Sequence, residues 1–180
     1  MEREEAIRLL KSKIKNKNLI KHSLAVEACM RKLARYFGED EEMWGLCGLL
    51  HDLDYEDAKL NPEIHGYKTA EYLKGKVPEV VIDAIISHPG HKERETKMAK
   101  ALYCVDPLTG LIVACALILP EKKLEKIDKK FVLNRFKEKR FAAGANREQI
   151  KECEKLGFSL EEFIEICLSA MKSISDQLGL

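Results

Sequence analysis

The segment Gly45–Asp57, GLCGLLHDLDYED, opens as an apolar helix and turns acidic within a few residues. At the change His51 and Asp52 stand side by side. An imidazole and a carboxylate set against the most apolar helix of the chain must stay hydrated or find a partner, because burying either uncompensated is costly. Outward from this segment, apolar residues recur at every third or fourth position, and no run of four or more residues alternates as a half-buried strand would. The expected fold class is therefore all-α.

The helices can be placed by their ends. Leu19, Val26, Met30, Leu33 and Phe37 form one stripe that Gly38 terminates, and His22 lies on or beside it. Residues 39–42 are acidic and suit the start of the next helix, which runs into His51. Asn61-Pro62 and Pro78 open two more, and HPGH at 88–91 stops the second. A helix from about residue 95 to Val105 is expected to break at Asp106-Pro107, because proline lacks a donor and pushes its predecessor out of the α region. An apolar helix follows to Leu119, then basic amphipathic helices at 128–142 and 146–156. A last helix begins at Ser159, whose Ser-x-x-Glu spacing to Glu162 is a capping box.

At 180 residues the chain suits one domain, 1–180, with a helical core at 18–119 completed by C-terminal helices at 120–180. The net charge of +1 gives no overall attraction to nucleic acid, which is not expected as a partner. Charge is nevertheless uneven: residues 39–57 hold acidic groups and no Lys or Arg, whereas 121–151 hold eleven Lys or Arg against five Asp or Glu. Six cysteines without a Cys-x-x-Cys pair read as reduced core residues of a cytoplasmic protein. The N-terminus lacks a signal-peptide pattern, and LIVACALIL at 111–119 is about half the ~20 residues of a bilayer crossing, so no membrane is expected. A homo-oligomer is left open.

All five histidines fall between 22 and 91. One on an early helix, a His-Asp doublet about thirty residues on, and an aspartate at a later helix break make a pattern that none makes singly. The sequence here resembles the HD superfamily of metal-dependent phosphohydrolases, whose H…HD…D signature falls on His22, His51-Asp52 and Asp106. The likeness covers roughly residues 18–119. It is greatest to a small group of HD hydrolases with HD-x-D-Y-E and D-x-L-T-G motifs, here His51–Glu56 and Asp106–Gly110. Cyclic-dinucleotide phosphodiesterases of the HD-GYP kind fit less well: Pro89 and Gly90 separate the paired histidines, and Lys68 follows Gly66-Tyr67. Hydrolases of guanosine tetraphosphate carry a Glu-Asp pair that Glu56-Asp57 matches only one residue out of place.

Helical neighbours diverge by about 100°, so a doublet can give two ligands to one ion only at a ragged helix end, which HDLDYED offers. The resemblance implies one or two divalent transition-metal ions. Two imidazoles and two carboxylates suit Mn, Fe, Co, Ni or Zn better than Mg. It further implies His65 and His88 as ligands of a second ion, with Asp52 bridging the two and a shared water made nucleophilic. Asp54 and Glu56 are candidates, with Asp52, for catalytic roles around that water. His91 is a candidate extra ligand or substrate contact, and Tyr55 and Tyr67 can pack in the core or stack on a base.

A phosphate ester also calls for positive charge, and Lys122, Lys123, Lys129, Lys130, Lys137, Arg140 and Arg147 are expected to supply some of it across a cleft. The implied function is hydrolysis of a phosphomonoester or phosphodiester in a small phosphorylated, nucleotide-like substrate. Two other classes share these features: a mixed-valence di-iron oxygenase of the same fold, and a non-catalytic binding module stabilised by metal.

Overall fold

A computed structural model describes all residues, Met1–Leu180, and contains helices and turns only. The eleven α-helices are α1 (Arg3–Lys13), α2 (Lys17–Phe37), α3 (Glu41–Leu50), α4 (Tyr55–Ala58), α5 (Tyr67–Leu73), α6 (Glu79–Ser87), α7 (Lys97–Leu117), α8 (Lys129–Lys137), α9 (Arg147–Lys151), α10 (Leu160–Lys172) and α11 (Ser175–Leu178). One connected apolar core runs from Ala6 in α1 to Leu178 in α11. All six cysteines are buried in it as free thiols.

The pair α2–α3 sets the frame of the site. Asn16 caps α2 by accepting from the Asn18 and Leu19 amides, and Gly38 ends it in the left-handed region at φ +69°. Asp40 then caps α3 through the Met43 amide. The two antiparallel helices meet almost backbone to backbone. A Cβ on Gly48 would stand 2.9 Å from the Val26 carbonyl, and one on Gly45 would stand 2.6 Å from Arg31 Nε. This close approach lays the end of α3 beside the first turns of α2. The ring centroids of His22 and His51 are 5.2 Å apart in consequence.

The segment α1 carries Ala6 and Leu10 into the core. It is joined to the α2–α3 pair by charge: Glu27, buried in α2, accepts from Arg3 Nε at 2.6 Å and Arg31 Nε at 2.9 Å, and Arg31 grips Glu42 bidentately. Nearly buried, Glu27 is compensated by two guanidiniums, as a buried carboxylate requires.

Three expectations need correction. The break at Asp106-Pro107 does not occur, since α7 is one 21-residue helix with Pro107 inside it. Proline frees the carbonyl four residues back, Tyr103 O, and Gln149 Nε2 from α9 donates to that oxygen at 2.8 Å. Thr109 Oγ1 donates to the Asp106 carbonyl at 2.8 Å, so the local helix is held from both sides. Next, the basic helix expected at 128–142 stops at Lys137, and the chain loops back through 138–146. Finally, residues 61–76 do not make one helix: a 3₁₀ turn at Pro62–Ile64 gives way at His65-Gly66, with Gly66 at φ +84°, before α5 starts. A Cβ at Gly66 would lie 3.0 Å from the Ile85 carbonyl, so only glycine seats this turn against α6.

By length and apolar composition alone α7 would pass for a membrane span. Here it is the central core helix, with Leu102, Val105, Leu108, Leu111 and Ile112 fully enclosed and Asp106 reaching out of it.

Candidate metal centre

Five elements converge on one point. The histidine of α2 is His22. His51 and Asp52 occupy the turn after α3, where the chain leaves the helix and two successive side chains can face the same way. His65 sits in the turn before α5, His88 caps the C-terminus of α6, and Asp106 projects from α7. Two ligand groups result, His22–His51–Asp52–Asp106 and Asp52–His65–His88, with Asp52 common to both.

Distances give the arrangement its meaning. His22 Nε2 lies 3.0 Å from Asp106 Oδ1 and 3.6 Å from Asp52 Oδ2, and His51 Nε2 lies 3.3 Å from Asp52 Oδ2 and 3.7 Å from Asp106 Oδ1. On the far side Asp52 Oδ1 stands 3.3 Å from His65 Nε2 and 3.4 Å from His88 Nε2. Two atoms each about 2.1 Å from one ion, at right-angled to tetrahedral spacing, are about 3.0–3.4 Å apart. Four of the six separations fall in that range, and the other two, at 3.6 and 3.7 Å, lie just beyond it, spacings that could accommodate metal ions.

Every one of the four imidazoles is held by its other nitrogen. His51 Nδ1 donates to the Gly48 carbonyl at 2.8 Å, His88 Nδ1 to the Ile85 carbonyl at 2.5 Å, and His65 Nδ1 to Asp54 Oδ1 at 2.7 Å. His22 Nδ1 donates to Thr109 Oγ1 at 3.2 Å, whose own proton is committed to the Asp106 carbonyl. Placing the protons on Nδ1 leaves four Nε2 lone pairs aimed at the cluster. His51 and His88 are buried, and neither Nε2 makes a hydrogen bond. Such atoms are rare unless something absent from the protein chain satisfies them.

Electrostatics point the same way. Burial would depress the His51 imidazole, but Asp52 and Asp106 outweigh it and hold the group well above its ordinary value. His65 is likewise drawn down by burial, yet Asp52 and Asp54 raise it to about 9. Burial opposes ionisation of Asp52 and Asp106, and the surrounding imidazoles nevertheless keep both below the usual carboxylate range. This is a site with a strong demand for positive charge, which protons or metal can meet. The nitrogen and oxygen donors fit a divalent transition ion.

The remaining candidates divide. Asp54 is fully buried, and its carboxylate is taken up by His65, the Gly66 amide at 2.8 Å and the Thr69 amide at 2.9 Å. It orients His65 and is not free to take a proton from water; despite burial, these donors lower its pKa. Glu56 does not join the cluster. It points the other way and accepts from the Lys15 and Asn16 amides, closing the α1–α2 connection. His91 Nε2 donates to the His65 carbonyl at 2.8 Å and its ring stacks on Tyr67, so it borders the site as a support rather than as a ligand.

The basic wall is absent. Cavities of about 390 Å³ and 650 Å³ border the cluster, and neither has a Lys or Arg in its lining. Arg147 is spent on backbone: its guanidinium donates to the carbonyls of Phe136, Glu138, Phe141, Ala142 and Ala145, which shapes the 138–146 loop. Lys137 lines a different cavity with Arg147, and Lys130 another groove beside Glu165. Lys122, Lys123 and Arg140 lie outside both cavities at the cluster.

Thr109 is a functional neighbour that residue type alone does not single out, although it stands inside the D-x-L-T-G motif three residues after Asp106, one helical turn on. The Gly48 carbonyl carried no side-chain signal at all.

A family model described as HD domain matches residues 19–156. Ribonuclease Y of Acholeplasma laidlawii (strain PG-8A) is 35% identical over 97 residues, 52% of this chain and 18% of that protein. Ribonuclease Y of Bacillus thuringiensis (strain Al Hakam) is 33% identical over 138 residues, 73% of this chain and 26% of that protein. The chain therefore spans about a fifth to a quarter of the length of these relatives. No solved structure matches at comparable stringency.

Proposed function

The chain belongs to the HD domain family, and from that premise we propose that it is a divalent-metal-dependent phosphohydrolase cleaving a phosphodiester in a short, nucleotide-containing substrate. One observation carries the reading: the buried Nε2 atoms of His51 and His88, on opposite sides of Asp52, have no hydrogen-bond partner. His22, His51, Asp52 and Asp106 would hold one ion, and Asp52, His65 and His88 a second. When bound, such ions supply Lewis acidity toward a phosphoryl oxygen and make a water acidic enough to act near neutral pH.

The chain's own contribution is orientation. Gly48, Ile85, Asp54 and Thr109 lock the four imidazoles in the tautomer that leaves Nε2 free. Asp54 keeps His65 turned toward Asp52. Absence of Lys and Arg from the cavity walls supports a diester, with one negative charge at its phosphate, over a monoester dianion or a polyphosphate. The relatives are named as ribonucleases, which supports a nucleotide-containing diester here. The same lack of Lys and Arg in the walls and the net charge of +1 favour a short substrate over a long polyanion. A non-catalytic module would need a closed metal shell, whereas this cluster opens onto two cavities.

The test is chelation followed by reconstitution. Chelated protein should hydrolyse neither bis(4-nitrophenyl) phosphate nor a dinucleotide, and Mn²⁺ or Co²⁺ should restore both activities, with 4-nitrophenyl phosphate the poorer substrate. No hydrolysis with any of Mn²⁺, Co²⁺, Ni²⁺, Zn²⁺ or Mg²⁺ overturns the proposal. An iron chromophore in that inactive protein would move it to the oxygenase class.

A further inference from the structure

The cluster lies on the ridge between its two cavities, since His65 and Asp106 help to line both. A phosphate held there has room for one substituent on each side. The two sides differ in kind. Toward Asn146 and Gln149 the larger cavity is polar. The smaller is walled, beyond the cluster itself, by Leu19, Pro107, Gly110, Ala142 and Ala145 together with Tyr55. Apart from the Tyr55 hydroxyl, nothing in that wall outside the cluster offers a side-chain hydrogen bond.

Tyr55 is out of character for a packing residue. It directly follows fully buried Asp54, yet the residue is 43% exposed. It meets His65 edge to face, with centroids 5.9 Å apart and an interplanar angle of 83°, so the two rings are not stacked face to face. Tyr67, exposed to a similar degree, is different: its face is already covered by His91, with centroids 4.8 Å apart and an interplanar angle of 26°. Small residues complete the Tyr55 cavity, and a Cβ at Gly110 or Gly144 would meet nothing within 4 Å.

We infer that Tyr55 forms a base-stacking subsite for the nucleoside on one side of the scissile phosphate, an inference that rests on the proposed diesterase reading. An aromatic face in a wall that, outside the cluster, has no charge and no side-chain donor except its own hydroxyl selects for a flat ring and against none of the four bases, because stacking tolerates any base. Tyr55 is here a specificity-determining residue that touches the substrate away from the reacting atoms.

The test compares a dinucleotide containing 2-aminopurine with its abasic counterpart, the same sugar-phosphate backbone without bases, on Mn²⁺-supplemented full chain. In Tyr55→Ala the ratio of kcat/KM for the base-bearing over the abasic substrate should fall about tenfold, mostly through KM, while Tyr55→Phe keeps the wild-type ratio. The 2-aminopurine fluorescence should be quenched by wild type and Tyr55→Phe and much less by Tyr55→Ala. Equal quenching by wild type and Tyr55→Ala, or an unchanged kcat/KM ratio, overturns the subsite. Tyr55-dependent quenching without hydrolysis of either substrate keeps the subsite and removes the hydrolase reading instead.

Discussion

Asp54 grips His65: its Oδ1 accepts the His65 Nδ1 proton at 2.7 Å, while its Oδ2 takes the amides of Gly66 and Thr69. A carboxylate so placed fixes the tautomer and raises the basicity of the imidazole it holds. The substitution Asp54→Asn should lower metal affinity at the His65–His88 side by about 10–100-fold. The side around His22 and Asp106 should keep its affinity. Competition titration with a chromogenic chelator, resolving two classes of site, reads this directly.

Asp52 serves both groups and His88 only one, so their removal should differ in stoichiometry. His88→Ala should retain one tightly bound Mn²⁺ per chain where the native protein should take two. Asp52→Ala should retain none through dialysis, as counted by elemental analysis. A retained pair of ions in His88→Ala would contradict the division of ligands.

The pH dependence of the metal-free protein follows from the sign of the shifts. His65, at about 9, lies above its unfolded value of 6.5, and His51 is raised as well. Their stabilisation is fully present below 6.5 and is lost as pH rises through the folded values. Asp54 is lowered, so its contribution is present above 3.8 and lost only in acid. The thermal midpoint in chelator should therefore fall between about pH 7 and about 9.5. With Mn²⁺ present that decline should shrink or vanish, because metal replaces the protons and binds better as they leave. Differential scanning fluorimetry across the range, with and without metal, checks both halves.

Gly48→Ala tests whether the close helix approach builds the site. Its Cβ would meet the Val26 carbonyl at 2.9 Å and Glu27 Cα at 3.0 Å, backbone atoms that cannot rotate away. Overpacking of this kind costs about 1–3 kcal/mol, readable by urea denaturation. Moving α3 off α2 should also separate His51 from His22 and weaken metal binding, whereas Gly144→Ala, which meets nothing, should not destabilise by that route.

The helical class could be read from periodicity, and several helix ends from caps: Gly38 after α2, Asp40 before α3 and the Ser159–Glu162 box before α10 all act through neighbours a few residues away. The resemblance to the HD signature, rather than residue type alone, singled out the histidines and aspartates that meet. Pro107 shows where local reasoning ends, since the carbonyl it frees, Tyr103 O, is satisfied by the Gln149 amide, forty-six residues beyond Tyr103. Glu56 and Asp54 show the same limit from the other side. Two positions apart in an acidic run, one meets backbone amides of residues 15 and 16 and the other an imidazole at 65.

From the order of its residues alone, then, this chain determined its helical class and several of its caps, such as Gly38, Asp40 and the Ser159–Glu162 box, because those depend on contacts within one or two turns. Tertiary structure alone decided the work of each charged group: Arg147 on loop carbonyls, Asp54 on His65, Asp52 between two pairs of histidines, and no lysine at the cavity walls. A buried charge settles on the strongest partner that folding brings within reach, and that partner is written in no neighbouring residue.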